Sequence, residues 1–92
     1  MKLEYRYDEQ LLDLKETANG DDFEFTLTFV NSNWKEKIAR IRTYFDENNI
    51  LTDTHFYIHP NNKIQIIVRK DFYHEFLIQL FRQQIVEEIK WV

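Results

Sequence analysis

Histidine, carboxylate and serine are the residue types here that could do chemistry, and their spacing argues against it. His55 and His59 stand four positions apart in a segment of alternating character. On a strand rising roughly 3.3 Å per residue their Cα atoms lie about 13 Å apart, too far to share one metal ion whose ligands sit about 2 Å away. His74 belongs to a different element. Ser32 is the only serine, and it precedes a helical pattern, where its hydroxyl is wanted as a cap rather than as a nucleophile. Cysteine is absent, so thiol chemistry, disulfides and cysteine zinc sites are excluded. Gly20 is the only glycine, which excludes the Gly-rich loops that cradle phosphates. The carboxylate pairs Asp21-Asp22, Asp46-Glu47 and Glu87-Glu88 stand beside turns or on polar helix faces, where solvation accounts for them. General acid–base work needs a cleft that shifts a pKa. The expectation is a non-enzyme that needs neither metal nor cofactor.

The residues that remain of interest sit on a hairpin spanning 52–70. Thr54, Phe56 and Ile58 alternate with Asp53, His55, Tyr57 and His59, and beyond Pro60-Asn61-Asn62 the residues Ile64, Ile66 and Val68 alternate with Gln65, Ile67 and Arg69. This period of two marks half-buried strands. Pro60 suits the second position of a type I turn, because its ring fixes φ near the required value. Like-parity residues on neighbouring strands share a face, so His55, Tyr57, Gln65, Ile67 and Arg69 are expected together on the wet side. They are the candidate binding residues, with Tyr57 and Ile67 as apolar-bodied contacts and Arg69 of a type enriched at binding hot spots.

The other elements must position that hairpin. Lys2–Tyr7 alternates as a strand, and residues 8–17 are read as a second strand turning through Asn19-Gly20, a strong hairpin signal; a short helix capped by Asp8 is the competing reading. Phe23–Val30 has the cleanest alternation, with Phe23, Phe25, Leu27 and Phe29 on one side. Asn31, Ser32 and Asn33 are candidate caps, Asn33 with Glu36 forming a capping-box pattern. Trp34, Ile38, Ile41 and Phe45 then trace one stripe of a helix over 33–48, stopping at Asn48-Asn49. A second helix is expected over 71–90, capped by Asp71, with a stripe of Leu77, Ile78, Phe81, Ile85, Ile89 and Val92; the alternative breaks it at Arg82-Gln83-Gln84 and ends the chain in a strand.

Shifting the chain by 40 residues brings Asn19-Gly20 onto His59-Pro60 and Phe23–Val30 onto Lys63–Lys70, with strand parity off by one. Strand–turn–strand–helix therefore occurs twice. The expected fold is α+β: an antiparallel-rich sheet with two helices on one face, in ββαββα order plus an N-terminal strand. The alternative is the ferredoxin-like order βαββαβ. Both share a core of Phe23, Phe25, Leu27, Phe29, Ile38, Ile41, Phe45, Phe56, Ile58, Ile64, Ile66, Val68, Phe76 and Leu80.

The 92 residues make one domain, and its 2 Trp, 5 Tyr and 8 Phe supply much of the burial. The net charge is −4, with three basic and eight acidic side chains in residues 1–30. That sign repels nucleic acid and anionic membrane at long range. RNA-recognition modules also want a Gly and two exposed aromatics on the third strand, and Lys63–Lys70 has neither. No apolar run is long enough for a membrane span or signal peptide. A cytoplasmic protein is expected that binds another protein, or itself, through the open sheet face or a strand edge. Lys35, Lys37, Arg40 and Arg42 give the first helix a basic flank that reads as solvated. The alternative is a small-molecule pocket between sheet and helices, lined by aromatics such as Trp34, Tyr44 or Tyr73.

Overall fold

The computed structural model describes residues 2–47 and 54–92. They form β1 (Leu3–Arg6), β2 (Leu12–Asn19), β3 (Asp22–Phe29), α1 (Lys35–Glu47), β4 (His55–His59), β5 (Lys63–Arg69), α2 (Tyr73–Arg82) and β6 (Glu88–Trp91). The fold is α+β. One antiparallel sheet has the order β2-β3-β5-β4, and a separate ribbon pairs β1 with β6. The expected Asn48-Asn49 stop of α1, and Thr52 and Asp53 of the hairpin, lie outside the described residues.

The sheet is built from two ββα units joined at their second strands, so β3 and β5 are central and β2 and β4 are edges. An offset of 40 carries Glu16 and Ala18 of β2 onto Phe56 and Ile58 of β4. After the turn the offset becomes 41, carrying Phe25 and Leu27 onto Ile66 and Val68. The β2–β3 turn has two residues, Gly20 and Asp21, whereas the β4–β5 turn has three, Pro60, Asn61 and Asn62. That one residue is why the strand parity of the two repeats disagrees in the sequence. Gly20, at φ +64°, takes the left-handed first position of a type II′ turn. Asn61 and Asn62 are both left-handed, at φ 63° and 60°. A type I turn needs negative φ at the residue after proline, so the expected type I turn at Pro60 is not formed; asparagine tolerates the left-handed region instead.

Both helices cover one face of the sheet. Phe25, Leu27, Ile64, Ile66 and Val68 are buried beneath Phe76, Leu77 and Leu80 of α2 and Ile38, Ile41 and Phe45 of α1. The Phe25 and Phe76 rings lie 4.8 Å apart, and Phe29 stacks on Trp34 at 5.3 Å. The Trp34 indole N–H donates to Asn62 Oδ1 at 3.3 Å, which fixes the β4–β5 turn to the start of α1. Burying each such side chain is worth about 1.5–3 kcal/mol. Of the expected core, Phe23, Phe29 and Phe56 are half-buried at its margin, and Ile58 is not part of it: it is 65% exposed, because it points to the helix side of the sheet beyond the cover that α1 provides. Leu3, Leu12, Leu14, Trp34, Leu77, Ile85 and Val86 join the core.

The helix starts differ from expectation. Ile38 N–H bonds to the Trp34 carbonyl, so the cap of α1 is Trp34 rather than Ser32 or Asn33, and Asn31 Oδ1 accepts from Asn33 N–H in a local turn. Asp71 does not cap α2: it lies in a 3₁₀ turn, 3.8 Å from Arg69, and the capping position is Phe72.

The long helix over 71–90 is also not formed. α2 ends at Arg82, and residues 88–91 pair with β1. Gln84 N–H bonds to the Phe81 carbonyl and Ile85 N–H to that of Leu80, the two bonds of a Schellman motif with Gln84 left-handed at φ 60°. Left-handed backbone at Gln84 cannot continue a right-handed helix, and beyond it Ile85 and Val86 are buried, at 6% and 1% exposure, while residues 88–91 reach β1. The stripe of α2 is accordingly rotated: Phe76, Leu77 and Leu80 face the core while Ile78 and Phe81 are exposed. The ferredoxin-like arrangement is also not adopted, because β2 occupies the sheet edge that the last strand would fill.

A left-handed non-glycine residue is strained by about 1 kcal/mol. Gln84→Gly is therefore expected to raise stability by about 0.5–1 kcal/mol, read as an increased urea midpoint at unchanged slope; an unchanged or lower midpoint would show that the glutamine is not strained.

Candidate interaction surface

Hydrogen bonding alternates along an antiparallel ladder, and the flanking bonds fix its phase. Val30 N–H bonds to the Leu11 carbonyl, Phe29 N–H to that of Asn62, and Lys70 N–H to that of Asp21. With the observed registers, His55, Tyr57 and His59 direct their backbone groups at β5, whereas Phe56 and Ile58 direct theirs outward. By the same count Leu12, Leu14, Glu16 and Ala18 point outward from β2.

The two edges are managed differently. On β2 the Leu12 N–H is taken by the Asp8 carbonyl, and the Leu14 carbonyl accepts the Tyr7 hydroxyl at 3.1 Å. Tyr5 donates to Glu16 at 2.9 Å, and Tyr73 of α2 donates to the same carboxylate at 2.8 Å. Glu16 thus ties β1 and α2 to the β2 edge. On β4, no hydrogen bond among the described residues reaches the outward groups of Phe56 or Ile58. β4 is also the only described strand without Asp, Glu, Lys or Arg, the charges that natural edge strands use to discourage pairing.

The five candidate residues lie on one face, opposite the helices. His55 faces Ile67 across the strands, Tyr57 faces Gln65, and Arg69 follows two positions on from Ile67. The Tyr57 ring stacks against His55 at 6.2 Å and is 47% exposed, while Gln65, Ile67 and Arg69 are half-buried. Gln65 donates to Glu24 and lies 3.3 Å from His59 Nε2, and Arg69 lies beside Asp71. Sequence reasoning missed Ile58, which adds an exposed apolar side chain on the other side of the same strand. Alternation assigned it a face, and nothing in the sequence says that no helix lies above it.

The aromatics of the expected pocket are engaged elsewhere. Trp34 is buried against Phe29. Tyr44 donates to Glu75, joining α1 to α2, and that bond pushes its phenol up. Tyr73 packs on Phe23 and Phe25. The hollow beside Trp34 holds about 180 Å³, below the roughly 300 Å³ of ordinary ligand pockets; the hollows beside Tyr73 and Tyr44 are larger, about 420 and 370 Å³, and lie open to solvent at the surface. Among the described residues no group of His, Asp or Glu gathers to hold a metal ion, and no helix is long and apolar enough to cross a membrane. His74 meets Trp91 edge-on, away from His55 and His59.

Burial, reinforced by the bond to Glu16, pushes the Tyr5 and Tyr73 phenols well above their ordinary value of about 10. The folded chain then holds those protons after the unfolded chain has begun to lose them. Stability from this source is fully present below pH about 10 and declines as pH rises beyond it. Urea midpoints measured between pH 9 and 11 should fall, and the fall should flatten in the Tyr5→Phe/Tyr73→Phe variant; equal slopes in both proteins would contradict the cluster.

Comparison with protein-family models, with curated proteins and with solved structures finds no match.

Proposed function

We propose that this is a small non-catalytic interaction protein of the cytoplasm. It binds another protein chain through the outer edge of β4 and the adjoining open face of the sheet, with His55, Tyr57, Gln65, Ile67 and Arg69 as contacts and no cofactor. Neither nucleic acid nor membrane is its partner. The observation that carries this reading is that no described residue guards β4: an edge strand without Asp, Glu, Lys or Arg, with outward backbone groups at Phe56 and Ile58, flanked by exposed Tyr57 and Ile58. Such an edge accepts an added strand through main-chain hydrogen bonds, while side-chain contacts on either face confer specificity. The packed core between sheet and helices supports this reading over a small-molecule binder, since the larger hollows beside Tyr73 and Tyr44 lie open at the surface.

The triple variant Tyr57→Ser/Ile67→Ser/Arg69→Glu tests it. The variant should keep its circular-dichroism spectrum and lose at least about tenfold in affinity, as removal of hot-spot residues does, for whatever the tagged wild-type chain captures from its native cell extract. A folded variant that captures the same partners at wild-type strength would place the interface elsewhere.

A further inference from the structure

We infer that the occupant of the β4 edge is a second copy of this chain, paired antiparallel about a dyad at Tyr57 so that two four-stranded sheets become one of eight. The inference rests on the docking reading above and names its partner. An antiparallel strand is complementary to itself: with the dyad at Tyr57, Phe56 faces the partner's Ile58 and Ile58 faces the partner's Phe56. These are the two residues of β4 whose backbone N–H and C=O point outward, so both crossings become hydrogen-bonded pairs. Their side chains share the helix side of the sheet, and there the exposed Ile58 gains Phe56 of the other copy as cover.

Charge selects this pairing over the alternatives. The whole chain carries −4, yet β4 holds no Asp, Glu, Lys or Arg, so two copies meet here without opposing carboxylates. Pairing β4 with the β2 edge of another copy would instead meet Asp13, Lys15 and Glu16, and would displace the Tyr7 and Asp8 contacts that occupy that edge. It would also be head-to-tail and leave free edges to grow from, whereas β4 on β4 closes as a two-fold dimer. A five-residue seam falls below the roughly 1,200 Å² of standard stable interfaces, so the dimer is weak and depends on concentration.

The chain has no cysteine, so single introduced cysteines report the register directly. Position 57 would face its own copy as a non-hydrogen-bonded pair, with Cα atoms about 4.5 Å apart, within disulfide reach. Position 55 would lie about 13 Å from its own copy but opposite position 59 of the other. Purified Tyr57→Cys at pH 7.5 under mild oxidation should therefore form covalent dimer at least about tenfold faster than His55→Cys or His59→Cys alone, because only it has its partner thiol at high effective concentration. Mixing the His55→Cys and His59→Cys proteins should restore fast cross-linking. Equal rates at all positions, or no cross-linking at position 57, overturns the pairing. Sedimentation of the unsubstituted chain provides an independent reading: its average mass should rise with concentration, and a mass fixed at 11.4 kDa up to millimolar concentration would also overturn it. If cross-linking fails while the triple variant still loses a captured partner, the docking surface stands and only the second copy is removed.

Discussion

The antiparallel pairing of β3 with β5 is the constraint on which everything else depends. Among the described residues it is the only pairing between the two ββα units within the sheet, and its helix side is the floor of the core, with Phe25 and Leu27 opposite Ile66 and Ile64. Each of these side chains needs its partner strand to be excluded from water, so neither unit could bury its own half alone. Joining the units by their second strands sends the first strand of each to the outside. The fold thus begins with two equivalent edges, each a row of unpaired backbone groups.

Among the described residues, the rest of the chain attends to one of them. β1, the turn at Asp8 and the tyrosines around Glu16 occupy the β2 edge, and β6 returns to pair with β1 and complete that cover. The Schellman turn at Gln84 makes the return possible, since a continued helix would carry the chain end away from β1. Near-symmetry in the sheet and asymmetry in its covering together account for an edge at β4 that no other described strand pairs with.

What could be read in the sequence follows from which signals are local. Alternation in Phe23–Val30 and in the central hairpin identified both central strands and their faces, and it placed His55, Tyr57, Gln65, Ile67 and Arg69 on a common side. Gly20 marked its turn because left-handed backbone at that position calls for glycine. Gln84 adopts the same region without any such signal, so the end of α2 was hidden and the apolar residues beyond it looked like a continued stripe. Ile58 was assigned to the core because alternation reports a face, not whether a helix reaches across it. The pairing of β1 with β6 joins the two ends of the chain, and no local pattern encodes a partner that distant. Which edge the described residues leave uncovered depends on that pairing, so the proposed site can be narrowed to a face but not to an edge from the sequence.

Amide hydrogen exchange at Phe56 and Ile58 reports the state of the β4 edge, since these are its outward-facing amides and no described residue covers them. In dilute protein they should exchange quickly while the amides of Phe25 and Ile66, bonded across the centre of the sheet, exchange slowly; concentrating the protein should slow Phe56 and Ile58 alone. Slow exchange at Phe56 and Ile58 that does not vary with concentration would contradict the account, because it would mean the edge is already covered within the monomer.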